Sequence, residues 1–243
     1  MQRLLTMLAG LLLAGCTVPG GLATDDDDCP EAAEHGAIHI DWVDFVKVGD
    51  RAYHRVHVPE DGQQLEPEQL GERITETRCQ LPSDLDEEYE PQDGDAAFLA
   101  PGTPLFAVEG FGPGFRMAAM EDEELKLYEV DRVPDAERGA DIYGDIDGKV
   151  AAINVNSHED GVTTLGCITD PERVDTLVGM VLEAPVDREA EAPRGVGPHV
   201  EFVLEDLPPG TMVLNTDHHL LGINDLRVPD EFVSEIRQAM EGD

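Results

Sequence analysis

Ser157 and His158 are the only adjacent serine and histidine in the chain. Serine hydrolysis needs such a hydroxyl beside a base and an orienting acid. Neighbours on an extended chain point to opposite faces, however, and this pair lies beside the Asp160-Gly161 turn. Ser83 and Ser234, the other two serines, belong to no Gly-x-Ser-x-Gly nucleophile elbow. Histidine raises metal chemistry instead. His54 and His57, three apart on an extended segment, fall on opposite faces and make poor joint ligands. Asp217-His218-His219 occupies a hairpin tip, where polar residues belong in any case. Asp145-Ile146-Asp147-Gly148 begins like a calcium loop, with Asp145 and Asp147 as candidate calcium ligands, but it lacks the third acid and the closing glutamate. Turn-forming Asp and Gly account for it more simply. Gly110-Phe111-Gly112-Pro113-Gly114 offers amides to a phosphate, yet Pro113 removes a donor and no helix follows. Asp44, set among apolar residues, is the acid whose pKa burial would raise, unless a bulge turns it back to solvent. The single tryptophan, Trp42, falls on the apolar face of its strand, which argues against a sugar-stacking platform.

Short strands must position these groups. From 38 to 48 the even positions Ile38, Ile40, Trp42, Val46 and Val48 form one apolar face, interrupted by Asp44. Residues 51–58 return after the Gly49-Asp50 turn. An acidic loop follows Cys79 and includes Asp84, Asp86, Glu87, Glu88, Glu90, Asp93 and Asp95. Apolar runs at 96–100, 104–108, 115–119 and 125–130, separated by turn residues, suggest a sandwich or a partial barrel. A stretch rich in Asp, Pro and Gly covers 133–148. Beyond it, 149–156 and 162–168 read as a hairpin, and Thr169-Asp170-Pro171-Glu172 as a capping box with an early proline. The helix that follows carries Val174, Leu177, Val178, Val181 and Leu182 along one stripe. The order then recurs. Residues 199–207 turn Val200, Phe202 and Leu204 inward, 211–223 make a second hairpin, and 229–240 are amphipathic through Phe232, Val233, Ile236 and Met240. The expected fold is α+β, with a β-rich domain over 37–132 and a ββαββα domain over 145–243.

The first residues carry one charge, Arg3, ahead of an apolar run that ends before Pro19-Gly20-Gly21. A spanning helix needs roughly 20 apolar residues, so the run reads as an export signal. Leu13-Ala14-Gly15-Cys16 resembles the lipobox of bacterial lipoproteins. The resemblance implies removal of a signal peptide over 1–15, a diacylglyceryl thioether on Cys16, and a body held at the extracytoplasmic face of the cell membrane. Each buried lipid methylene contributes about 0.8 kcal/mol, so two or three acyl chains make a durable anchor. Residues 16–36, with the Asp25-Asp26-Asp27-Asp28 run, read as an acidic flexible tether.

Cleavage there would remove Arg3 and no acid, taking the formal charge from −37 to −38. Such a surface repels phosphate, which excludes DNA and RNA as partners; the membrane, reached through the Cys16 lipid, is the partner expected. Three cysteines remain in an oxidising compartment. Cys29 and Cys79 flank one segment and are the expected pair, with Cys167 a buried free thiol in the apolar stretch 165–168. No Cys/His spacing suggests zinc.

Trp42-Val43-Asp44-Phe45-Val46-Lys47, Leu70-Gly71-Glu72-Arg73-Ile74 and Asp93-Gly94-Asp95-Ala96-Ala97-Phe98-Leu99 look like motifs of uncharacterised lipoproteins from Gram-positive bacteria. Gly102-Thr103-Pro104, Gly110-Phe111 and Phe115-Arg116 continue the similarity in order, over roughly 40–183. The resemblance implies the same address and brings no activity or cofactor with it. The expected function is a non-enzymatic binding or interaction module at the cell envelope. Its competitor is an envelope hydrolase whose residues converge only in three dimensions. A cleft bringing Asp44 beside His54 or His57 would favour the enzyme, and a closed core the module.

Overall fold

The computed structural model describes residues 29–32, 38–39, 42–58, 62–85, 88–191, 196–205, 207–222 and 224–242. The stretch expected to be an export signal, Cys16, and most of the expected tether over 16–36 lie outside the described residues. The first segment supplies β1 (Ile38–His39), β2 (Phe45–Val48), β3 (Arg51–Arg55), β4 (Leu70–Glu76), β5 (Cys79–Gln80), β6 (Asp84–Leu85), β7 (Asp95–Ala96), β8 (Pro104–Val108), β9 (Arg116–Glu121) and β10 (Glu124–Arg132). Eight of these form an open, curled sheet in the order β4-β8-β9-β10-β3-β2-β7-β5, nearer to a partial barrel than to a sandwich. β1 and β6 pair separately. In the middle of this sheet Met117, Ala118 and Ala119 on β9 are all buried.

The expected continuous strand over 38–48 is broken. The chain bends at Asp44, whose carbonyl accepts from the Arg55 amide at 2.9 Å. Trp42 is only half buried and Val43 stands 64% exposed. The Trp42 indole donates to the Pro82 carbonyl at 2.9 Å and packs on Phe45, in a satellite cluster with Leu81, Leu85, Ala97 and Tyr89. A disulfide joins Cys29 to Cys79, the expected pair, and ties residue 29 to β5. Beside it the buried Asp95 accepts from Arg78 at 2.8 Å and from the Tyr89 hydroxyl at 2.5 Å, which fastens the acidic loop to the sheet.

The second segment opens with α1 (Ala140–Tyr143) and a 3-10 turn over Gly144–Ile146. It continues with β11 (Val150–Asn156), β12 (Thr164–Ile168), α2 (Pro171–Glu183), β13 (His199–Leu204), β14 (Leu207–Asn215), β15 (Leu220–Leu221), β16 (Leu226–Arg227) and α3 (Asp230–Glu241). The ββαββα order is present, with β15 and β16 added at the edge of one sheet running β12-β11-β13-β14-β15-β16. Three details differ from expectation. α2 is capped by the Asp170 side chain, which accepts from the Arg173 amide, with Pro171 first in the helix; Thr169 is not the cap. β14 begins at Leu207, not at 211, so the hairpin to β13 turns between Leu204 and Leu207. Cys167 is exposed, not buried. Its strand is an edge, and its alternation sends Gly166 and Ile168 toward α3 while Leu165 and Cys167 face outward.

Ile153, Val155, Val200 and Phe202 make the buried face of the second sheet, with α2 packed on β11 and α3 on β12. One hydrophobic cluster runs without interruption from Met117 and Tyr128 of the first sheet, through Tyr143, to Phe232 of α3. No helix among the described residues is long and apolar enough to cross a membrane.

Candidate functional site

A cleft of about 800 Å³ opens between the two sheets. One wall is β3 with the residues after it, and β10; the other is β13 with residues 209–213 of β14. Sheet pairing dictates what faces in. Register sets His54 opposite Glu129, and Glu201 opposite both Asn154 and Thr211. From Leu207 to Met212, β14 has a strand on one side only among the described residues, because β15 pairs at Leu214 and Asn215 and the Gly222 amide reaches the Val213 carbonyl. That free edge borders the cleft.

Glu129 is held from behind by Arg116. This arginine is completely buried, donates through Nε to Glu129 at 2.8 Å, and pairs with the same carboxylate through Nη2. Its Nη1 donates to the Pro208 carbonyl at 2.7 Å, so one guanidinium bridges the two sheets. The Phe111 and Phe115 rings lie 5.5 and 5.2 Å from the guanidinium carbon and complete its cage. Gly210 makes room for the pair, since a side chain there would meet the Glu129 oxygens at 3.1–3.2 Å. Deeper in the cleft, burial pushes the Tyr143 phenol well above its ordinary value, the hydrogen bond from Asn224 opposes this, and Glu129 and Asp131 add to the rise. Tyr143 is therefore a neutral phenol.

On the opposite wall, Glu201 accepts from the Asn154 amide at 3.1 Å and the Asn156 amide at 3.0 Å, one on each carboxylate oxygen. Near the mouth, His54 Nδ1 lies 3.5 Å from Asp131 Oδ2. His57 also lines the cleft. β3 ends at Arg55, so the extended geometry that would separate His54 from His57 does not reach His57. Asp44 takes no part: it accepts from the Tyr128 hydroxyl at 2.9 Å and is absent from the cleft wall. The cleft thus contains both histidines but not Asp44, whose presence beside them would have favoured the enzyme.

The other sequence candidates are scattered. Ser157 Oγ accepts from the Glu159 amide at 3.1 Å and serves its turn. Asp217, His218 and His219 diverge: Arg237 lies 3.9 Å from Asp217, the His218 carbonyl accepts from Arg227, and His219 Nδ1 lies 3.0 Å from Asp230. Asp145 accepts from the Gly112 amide at 3.0 Å and pins the glycine-rich loop, while Asp147 ends the 3-10 turn. Among the described residues no three His, Cys, Asp or Glu side chains are grouped to hold a metal ion. Lys149 and Arg51 donate to the carbonyls of Gly110 and Gly114, so that loop is braced from outside.

Sequence reasoning missed Glu129, Asp131, Glu201 and Arg116. Alternation on 199–207 already turned Glu201 away from Val200 and Phe202, and that was the available signal. No family model, curated protein or solved structure matches the chain.

Proposed function

We propose that the chain is a lipid-anchored, extracytoplasmic binding module that holds its ligand in the cleft between the two sheets. The observation that carries this reading is the cleft itself, whose volume of about 800 Å³ falls in the range of sites for drug-sized molecules. Two of its lining carboxylates are held from behind, Glu129 by Arg116 and Glu201 by Asn154 and Asn156. Such holding pre-organises a wall for recognition. The anchor rests on Leu13-Ala14-Gly15-Cys16. Cys16→Ala should leave the protein unprocessed, lacking lipid mass and released from the detergent phase; unchanged partitioning and an unchanged N-terminal mass would refute the anchor.

One contact supports a second reading, an envelope hydrolase. An imidazole backed by a carboxylate on one nitrogen can take a proton on the other, and His54 has Asp131 at 3.5 Å. Turnover of any substrate that vanishes in His54→Gln would establish the hydrolase over the module. Saturable binding without turnover, kept in His54→Gln, is the result expected.

A further inference from the structure

We infer that the cleft binds an organic cation, an ammonium or guanidinium group on an apolar stem, with Glu201 as its counter-ion. This rests on the reading of the cleft as a ligand site. Four carboxylates line it, those of Glu129, Asp131, Glu201 and Asp225, against one arginine, Arg55, among the described lining residues. A concave wall of one sign focuses its field on a ligand of the other. Glu201 differs from its neighbours in how its charge is met. The charge of Glu129 is met by the buried Arg116 guanidinium. The Glu201 oxygens have two neutral amides, and no Lys, Arg or His nitrogen among the described residues pairs with it.

A carboxylate has about four lone-pair sites. The two asparagines use one site on each oxygen, which leaves acceptor capacity on both for the N–H donors of a cation. A carboxylate left without a counter-ion in a partly enclosed wall is costly, and a bound cation removes that cost. A bare divalent ion fits less well, because calcium takes 6–8 oxygen ligands and no acidic group of that kind is assembled. Val56, Val58, Val130, Met212 and Leu220 also line the cleft and offer apolar contact to a stem.

Titration calorimetry on the full-length protein in detergent tests this. Benzylguanidinium stands for a free cation, acetyl-Leu-Arg-Leu-amide for a basic side chain on a peptide, and benzylurea for the uncharged shape. Sodium chloride at about 0.5 M shortens the Debye length to about 4 Å and suppresses diffuse attraction to the acidic surface. At least one cationic probe should bind one to one, with benzylurea about tenfold weaker or more. Glu201→Gln should lose about tenfold or more, while Glu72→Gln, on the exposed far edge of the first sheet, should change affinity less than about twofold. Thr211→Lys places an ammonium opposite Glu201 across the β13–β14 pair and should abolish binding in a protein that melts no lower than wild type. Peptide binding without benzylguanidinium binding would assign the source to a polypeptide. The inference is overturned if neither cation binds, or if Glu201→Gln and Glu72→Gln behave alike. Equal binding of benzylurea, blocked by Thr211→Trp, would overturn the cation and leave the cleft a binding site.

Discussion

Arg116 is fully buried, and its guanidinium is shared between Glu129 on its own sheet and the Pro208 carbonyl on the other. Removing one partner of such a pair leaves the other charge stranded. Arg116→Met should therefore lower the unfolding free energy by about 3 kcal/mol in urea, with part recovered on adding Glu129→Gln. Glu121 provides a pH test. Hydrogen bonds from the Lys126 ammonium and then the Ala100 amide hold its carboxyl below its ordinary value of 4.5. A folded-state pKa below the unfolded one gives stability that is present above about pH 4.5 and is lost as pH falls through the lowered value. Glu121→Gln should cost stability at neutral pH, and the gap to wild type should close under acid; a gap independent of pH would contradict this. Neither partnership was legible in the sequence, because nothing in a linear pattern places Arg116 beside a carbonyl 92 residues away. The same holds for Asp44, whose apolar neighbours suggested burial but could not name Tyr128. The Cys29–Cys79 disulfide was legible, since both cysteines flank one segment; the exposure of Cys167 was not, because periodicity does not tell an edge strand from a central one.

Elements form where local chemistry permits, and two of them carry visible strain or crowding. The turn between β9 and β10 holds Asp122 at φ 49° and Glu123 at φ 69°. Two left-handed residues suit a tight hairpin, and Asp-Gly is the favoured pair for it. Glu123→Gly should raise stability by about 0.5–1 kcal/mol, seen as a higher urea midpoint with unchanged slope. Gly166 does the opposite job. It lets α3 lie directly on β12, since a side chain there would reach 1.9 Å from the Ala239 carbonyl. Gly166→Ala should displace the helix and cost roughly 1–3 kcal/mol; an unchanged melting curve would show that α3 can move freely. Periodic elements were readable, as the stripe of α2 and the alternation of β13 show. Elements without period were not. The helix and 3-10 turn over 140–146 are short and rich in Gly and Asp, and what fixes them is tertiary burial of Ile142, Tyr143 and Ile146. β14 carries Pro208 and Pro209 within its span, residues that read as a loop because proline cannot complete a ladder.

Charge governs the molecule as a whole. With a formal −37 on the chain, carboxylates crowd one another in the folded state, and expansion on unfolding relieves them. Sodium chloride should raise the melting temperature as screening shortens to about 8 Å near physiological strength. Asp145 is engaged by Gly112, so calcium at matched ionic strength should do no more than sodium. A selective calcium shift, lost in Asp145→Asn/Asp147→Asn, would reinstate a calcium site. The two sheets share one core yet part along the free edge of β14, and the cleft follows from that partial separation. Its role is tested most directly by native mass spectrometry of the full-length protein isolated from the cells that make it, set beside Thr211→Trp, in which an indole intrudes on the cleft wall beside Glu201. The wild type should carry a non-covalent adduct, one per chain, that dissociates on denaturation, while the diacylglyceryl mass proposed for Cys16 remains. The Thr211→Trp protein should keep the lipid and lose the adduct. Identical native masses in the two proteins would contradict the cleft as the binding site.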